Sequence, residues 1–251
     1  MANTPWCGGQ ADKLYLQSGQ FSATIKTSLS VGSVDAVPQD ISWDGTNTPW
    51  CGYSGEKLYL QSGQFSATMK TSLSVGSVDS SNQGVSSDGT NTPWCGIEAD
   101  KLYLQSGQFS ATMKTSLSVG GVETVPRGVS WDGTNSPWCG SSGIKLYLQS
   151  GQFSATLKTS LLVSSVNTGP SGVSWDGTNT PWCGFITADK LYLQSGQFSA
   201  TMKTSLDTSS VDNAVTGIEH GDFNERIGVV GSTPPTIQGI STIQGTQSIT
   251  F

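Results

Sequence analysis

The chain has 251 residues, a formal net charge of −6 and only 12% charged residues, with 31 glycines and 8 tryptophans. Its lysines are spread evenly, so the basic patch that a nucleic-acid or anionic-membrane partner requires is missing. No apolar run approaches a membrane span, which excludes membrane insertion by a helix.

At the N-terminus, "MANTPWCGGQ" has neither the basic start nor the apolar stretch of a secretory signal. The expectation is an intracellular protein, or one that leaves by another route, for example as part of a virion or to the extracellular space. Sustained helical spacing is absent throughout and helix formers are sparse, so the composition predicts an all-β chain rich in turns. The first strand is "TPWCG", with its proline near the start. "KLYLQ" follows, with Leu14 and Leu16 on one face and Lys13, Tyr15 and Gln17 on the other. "SG" then turns the chain into "QFSATIKTSL", where Phe21, Ala23, Ile25, Thr27 and Leu29 would line one face of an outer strand. After a link comes a short strand of the type "GVSW" (Gly172–Trp175), and "DGTN" behind it is a hairpin signal.

These elements then repeat. Trp6, Trp50, Trp94, Trp138 and Trp182 stand 44 residues apart, and "KLYLQSGQFSAT" occurs five times unchanged, beginning at Lys13, Lys57, Lys101, Lys145 and Lys190. The last interval is 45 because "CGFITADK" carries one extra residue. A four-stranded meander of about 40–45 residues is the size of a β-propeller blade, so the expected fold is a closed five-bladed β-propeller over residues 1–224. The first copy lacks its innermost strand. Gly217–Asn224, "GIEHGDFN", aligns with "GVSWDGTN" and would supply it, closing the ring without open edges. Residues 225–251 leave the pattern. Pro234-Pro235 and four isoleucines without gatekeeping charges mark a β-rich segment for attachment to a protein partner or for self-association.

The order of signals resembles the blades of NHL-type and related bacterial propellers, whose inner strand often reads like "GISWDGTN". Five blades resemble the architecture of tachylectin-type lectins, and the near-verbatim copying is similar in style to repetitive propellers of marine phages. The lectin resemblance implies carbohydrate binding; the fold alone serves binders and enzymes alike.

The five cysteines occupy equivalent points roughly 12 Å apart around a five-fold axis, too far for disulfides, and read as buried small apolar residues. His220 stands where Trp43, Trp131 and Trp175 stand in other copies and reads as a core substitution. The repeated Asp44, Asp88, Asp132 and Asp176 suit turn chemistry better than a calcium loop, which needs several carboxylates. Neither a metal nor a cofactor is expected, and no catalytic set converges. Trp6, Trp50, Trp94, Trp138 and Trp182 read first as wedges between blades and second as aromatic platforms for a sugar.

The copies differ mainly in the loop after "TPWCG" and in the link between blades. Alternating turns put both on one face of the disk, the invariant "DGTN" and "QSGQ" turns on the other. Tyr53, Ile97 and Phe185, with Glu56, Asp100 and Arg127, are therefore the candidate ligand-binding residues. The expected function is non-catalytic recognition or adhesion, of a glycan or surface ligand, through that loop face. The alternative is a purely structural subunit or decoration protein of a viral or extracellular assembly.

Overall fold

The computed structural model describes residues 3–219. Residues 220–251, and with them His220, the end of the expected closing strand and the tail, lie outside the described residues. Twenty strands fall into five four-stranded antiparallel sheets. Blade one holds β1 (Thr4–Gly8), β2 (Lys13–Gln17) and β3 (Ile25–Ser30); blade two holds β4 (Pro38–Ile41), β5 (Thr48–Gly52), β6 (Lys57–Gln61) and β7 (Met69–Ser74). Blade three is β8 (Asn82–Val85), β9 (Thr92–Gly96), β10 (Lys101–Gln105) and β11 (Met113–Ser118). Blade four is β12 (Pro126–Val129), β13 (Asn135–Gly140), β14 (Lys145–Ser150) and β15 (Leu157–Leu162). Blade five is β16 (Pro170–Val173), β17 (Asn179–Gly184), β18 (Lys190–Ser195) and β19 (Met202–Asp207). The last strand, β20 (Val215–Ile218), pairs with β1 and completes blade one from the far end of the chain. The protein is a closed five-bladed β-propeller.

The cores lie between blades. Cys7, Leu14 and Leu16 of blade one pack against Trp50 and Tyr59 of blade two, and the same set recurs around the ring. The fifth cluster joins Cys183 and Leu191 to Trp6, Tyr15, Val215 and Ile218, so the closing seam is packed like the others. Both faces of "KLYLQ" are therefore buried, since a blade has a neighbour on each side. Trp6, Trp50, Trp94, Trp138 and Trp182 each stack on the tyrosine opposite in the next strand, with centroids 4.1–4.3 Å apart.

Two strand boundaries differ from the sequence expectation. The inner strands begin earlier: β16 is Pro170–Val173 rather than Gly172–Trp175, and the closing strand begins at Val215 rather than Gly217. The following residue still donates its N–H to the proline carbonyl of the neighbouring strand (Ser174 to Pro181, 2.8 Å; Glu219 to Pro5, 3.0 Å). Proline has no N–H to return, so the ladder ends there. The outer strand is also shorter than "QFSATIKTSL". Phe21 takes a left-handed φ of 58°, and a register shift at Leu16/Gln17 breaks the alternation, so Phe21 and Ala23 belong to a turn and only Ile25–Ser30 is strand.

The inner strands meet almost backbone to backbone. A Cβ on Gly128 would lie 2.6 Å from Gly172 Cα, and one on Gly217 would lie 2.4 Å from Asp40 Cα. Gly84 and Gly172 are equally tight, so four of the five positions at this level carry glycine and only blade two carries a side chain, Asp40.

Candidate functional site

The two faces of the disk are built differently. On the invariant face, Asp44, Asp88, Asp132 and Asp176 each accept the backbone N–H groups two and three residues on, for example Thr134 and Asn135 to Asp132 Oδ1 at 2.7 and 2.5 Å. The second carboxylate oxygen takes the amide of a glutamine from the "QSGQ" turn of the next blade: Gln108 to Asp44, Gln152 to Asp88, Gln197 to Asp132 and Gln20 to Asp176. The repeated turns thus tie blade to blade, and their identity between copies has a structural cause. Burial opposes ionisation of Asp88 and Asp176, but these hydrogen bonds outweigh it and hold both carboxyls below the usual range. A depressed folded-state pKa stabilises above the unfolded value of about 3.9 and is lost as pH falls through the folded one. The melting temperature is therefore expected to fall as the pH drops below about 4, less steeply in the Asp88→Asn/Asp176→Asn variant; an unchanged slope would remove these groups from the acid limb.

On the other face, the variable loop after each "TPWCG" strand is fastened by the residue that ends the preceding blade. Asp35 accepts the N–H groups of Ser54 and Gly55 at 2.9 and 2.8 Å and the Tyr59 hydroxyl at 2.9 Å. Asp79, Glu123 and Asp212 repeat this arrangement for blades three, four and one. Burial, with the neighbouring carboxylate, pushes the Tyr15 hydroxyl up to about 12. Blade five has Asn167 instead. Its longer loop presents the Ala188 carbonyl, and the Asn167 amide donates to it at 2.8 Å, where a carboxylate has no proton to give. The extra residue and the Asp-to-Asn change are one adaptation. Link and loop are also joined through the backbone, Tyr53 to Val37 at 3.2 Å and Phe185 to Gly169 at 3.2 Å, which puts both variable segments on one face.

Arg127 breaks the symmetry of that face. It occupies the second inner-strand position, which the other blades fill with Gln39, Gln83, Ser171 and Thr216. Its guanidinium lies 5.1 Å from the ring centroid of Phe185 in blade five. Nε donates to Ser141 Oγ in its own blade at 3.0 Å, and Nη1 to Gln83 Oε1 in blade three at 3.1 Å. Three blades therefore hold one cation. Among the described residues the one ion pair is Lys190–Asp207, so Arg127 has no carboxylate in contact. Burial pulls its pKa down, although an arginine remains charged at any physiological pH. A half-buried guanidinium with neutral partners and donors to spare is suited to a carboxylate, sulfate or phosphate.

The structure thus brings together two of the six residues expected for ligand binding, Arg127 and Phe185. Tyr53 is 54% exposed on blade two, and Ile97 is half-buried on blade three. Glu56 and Asp100 end their loops in left-handed backbone (φ 47° and 51°) and lie against Gly76 and Gly120, toward the rim. Trp6, Trp50, Trp94, Trp138 and Trp182 are 0% exposed and present no ring face to a ligand; four of them donate Nε1 to a glutamine of the adjacent strand. The five cysteines are free and enclosed, and burial pushes their thiols far above the usual range. Gln83 and Ser141 were not singled out from the sequence; comparing the copies at the second inner-strand position, where Arg127 is the one charge, is the signal that points to Gln83.

No protein-family model matches the chain, and no curated protein does. Among solved structures, a chain of a nidogen–laminin complex is similar at 12% identity, with a TM-score of 0.58 over 88% of this chain and 98% of that one. Streptogramin B lyase (TM-score 0.49, 13% identity, 78% of this chain and 64% of that one) and Myxococcus xanthus glutaminyl cyclase (0.47, 13%, 79% and 76%) lie further off. Such distances show the propeller fold alone.

Proposed function

We propose that the protein is a non-catalytic recognition module that binds a glycan or surface ligand bearing an anionic group on its loop face. Arg127 carries this reading: in a ring of near-identical blades, one guanidinium without a carboxylate in contact sits where three blades meet. Phe185 supplies an aromatic surface beside it and Tyr53 a second on the same face. The resemblance to tachylectin-type lectins supports carbohydrate as the ligand class, with one distinctive subsite rather than five equal ones. The thiols and Asp40, which a covalent or acid–base reaction could use, are enclosed. Five valines exposed by 38–52% (Val34, Val78, Val122, Val166 and Val211) end the blades beside the link residues Asp35, Asp79, Glu123, Asn167 and Asp212 and favour a second reading, a protein partner in a larger assembly. Residues 225–251 belong to the proposal as the segment that attaches the disk.

A glycan array carrying sialylated, sulfated, uronic and neutral glycans tests the first reading. The protein is expected to retain acidic glycans, and Arg127→Gln to weaken them about 10- to 100-fold, the loss of one charge-assisted interaction of roughly 1.5–3 kcal/mol. Retention of neutral glycans equally by both proteins would sink the anionic subsite.

A further inference from the structure

Below the loop face the axis of the ring is closed by two buried carboxylates. Asp40 and Glu219 are each 2% exposed. Asp40 Oδ2 accepts the Val85 N–H at 3.0 Å, across the tight glycine level described above. Two residues beyond that level in each inner-strand copy stand Ser42, Ser86, Ser130, Ser174 and, in blade one, Glu219. Glu219 bonds its two ring neighbours, accepting from Ser174 Oγ at 2.7 Å and from Ser42 Oγ at 3.0 Å. These two bonds show that hydroxyls at this register face the axis. Ser86 and Ser130 hold the same register in the two blades opposite, yet their Oγ atoms have no hydrogen-bond partner, and neither has Asp40 Oδ1. All three atoms are buried.

A buried polar group without a partner is costly, so three of them around one axis call for an occupant. Two carboxylates there favour a positive one. Among the described residues no three His, Cys, Asp or Glu side chains converge, so metals that prefer imidazole or thiolate have no site. The axial donors are all oxygen.

We infer that the propeller axis is a cation site, in which Asp40, Glu219, Ser86 and Ser130 bind one hard divalent ion of the calcium type. Two carboxylates neutralise a divalent ion, and hydroxyls and water complete the six to eight oxygens that calcium takes. The bound ion joins blades one to four at the axis and stabilises the closed ring.

The full-length protein, stripped with EDTA and dialysed, is to be titrated with calcium chloride, magnesium chloride or sodium chloride while its melting temperature is followed. Metal content is measured after gel filtration. The expected result is about one calcium per chain and a melting temperature that rises with calcium, more than with magnesium and not with sodium. Glu219→Gln and Asp40→Gly, the latter restoring the glycine of the other blades, are expected to abolish the rise. Ser86→Ala/Ser130→Ala removes only unpartnered hydroxyls. It is expected to melt no lower than the stripped parent, yet to bind calcium at least tenfold more weakly. No calcium and no rise would mean that water alone occupies the axis. A rise that survives in all three variants would move the ion elsewhere, for instance to the "DGTN" aspartates. Either outcome overturns the site, and neither bears on the loop face.

Discussion

A chain ending at Ala214 is expected to lose its cooperative melt and to aggregate, whereas a chain ending at Asn224 keeps both fold and solubility. Strand β20 is four residues long, but its removal acts on the whole ring. Val215 and Ile218 leave the seam cluster with Trp6, Tyr15, Cys183 and Leu191, at about 1.5–3 kcal/mol for each large side chain. Strand β1 becomes an open edge, with the carbonyls and N–H groups that paired β20 exposed to other chains. Glu219 and its serine contacts are lost as well. Against a total stability of roughly 5–15 kcal/mol these losses are not survivable. A point variant makes the same test without shortening the chain: Gly217→Val puts a side chain where even a Cβ would lie 2.4 Å from Asp40 Cα. Calorimetry and light scattering on both proteins decide the matter, and a sharp, unshifted monomeric melt of the Ala214 chain would contradict strand closure.

Trp94→Ala is expected to destabilise by about 3–5 kcal/mol, the cost of emptying a large aromatic site in a core that cannot collapse. Trp94 is fully buried, stacks on Tyr103 at 4.1 Å and packs on Cys51, Leu58 and Leu60 of the preceding blade. The rigid sheets on either side hold the wedge open once the ring is gone. Trp94→Phe separates the polar share of the loss, since Trp94 Nε1 donates to Gln105 at 3.4 Å while the equivalent Trp138 Nε1 has no partner. Trp138→Phe should therefore cost less than Trp94→Phe by chemical denaturation. A Trp94→Ala protein that melts normally but no longer binds glycan would instead make these tryptophans ligand platforms.

Much of the fold was legible because repetition exposes it. A period of 44 residues with an invariant "KLYLQSGQFSAT" leaves little choice but stacked four-stranded units, and the missing inner strand of the first copy points to its donor at the other end. Boundaries were less legible. "GVSW" reads as strand by its alternation, yet the proline opposite has no N–H to pair with, so the strand starts and stops two residues earlier. Phe21 has strand character in isolation but follows a turn that forces it into left-handed backbone.

The site divided in the same way. Variation between copies marks the loop face, and Arg127 and Phe185 were both visible as departures from the repeat. Their meeting was not, because they are 58 positions apart and come together only when blade four sits beside blade five. The axial set was hidden for a different reason. Asp40 and Glu219 depart from columns of glycine and serine, but they lie 179 positions apart, and only ring closure turns those columns into circles of side chains around one axis.

On the proposed reading, what the copies share holds the ring together and the loop face on which they differ recognises the ligand. Hydroxyl-radical footprinting, with and without the strongest glycan from the array, tests that division most directly. Protection is expected at Tyr53, Phe185 and Ile186 on the loop face, with the invariant turns unchanged. Protection confined to Trp43, Trp131 and Trp175 at the opposite mouth of the axis would contradict it.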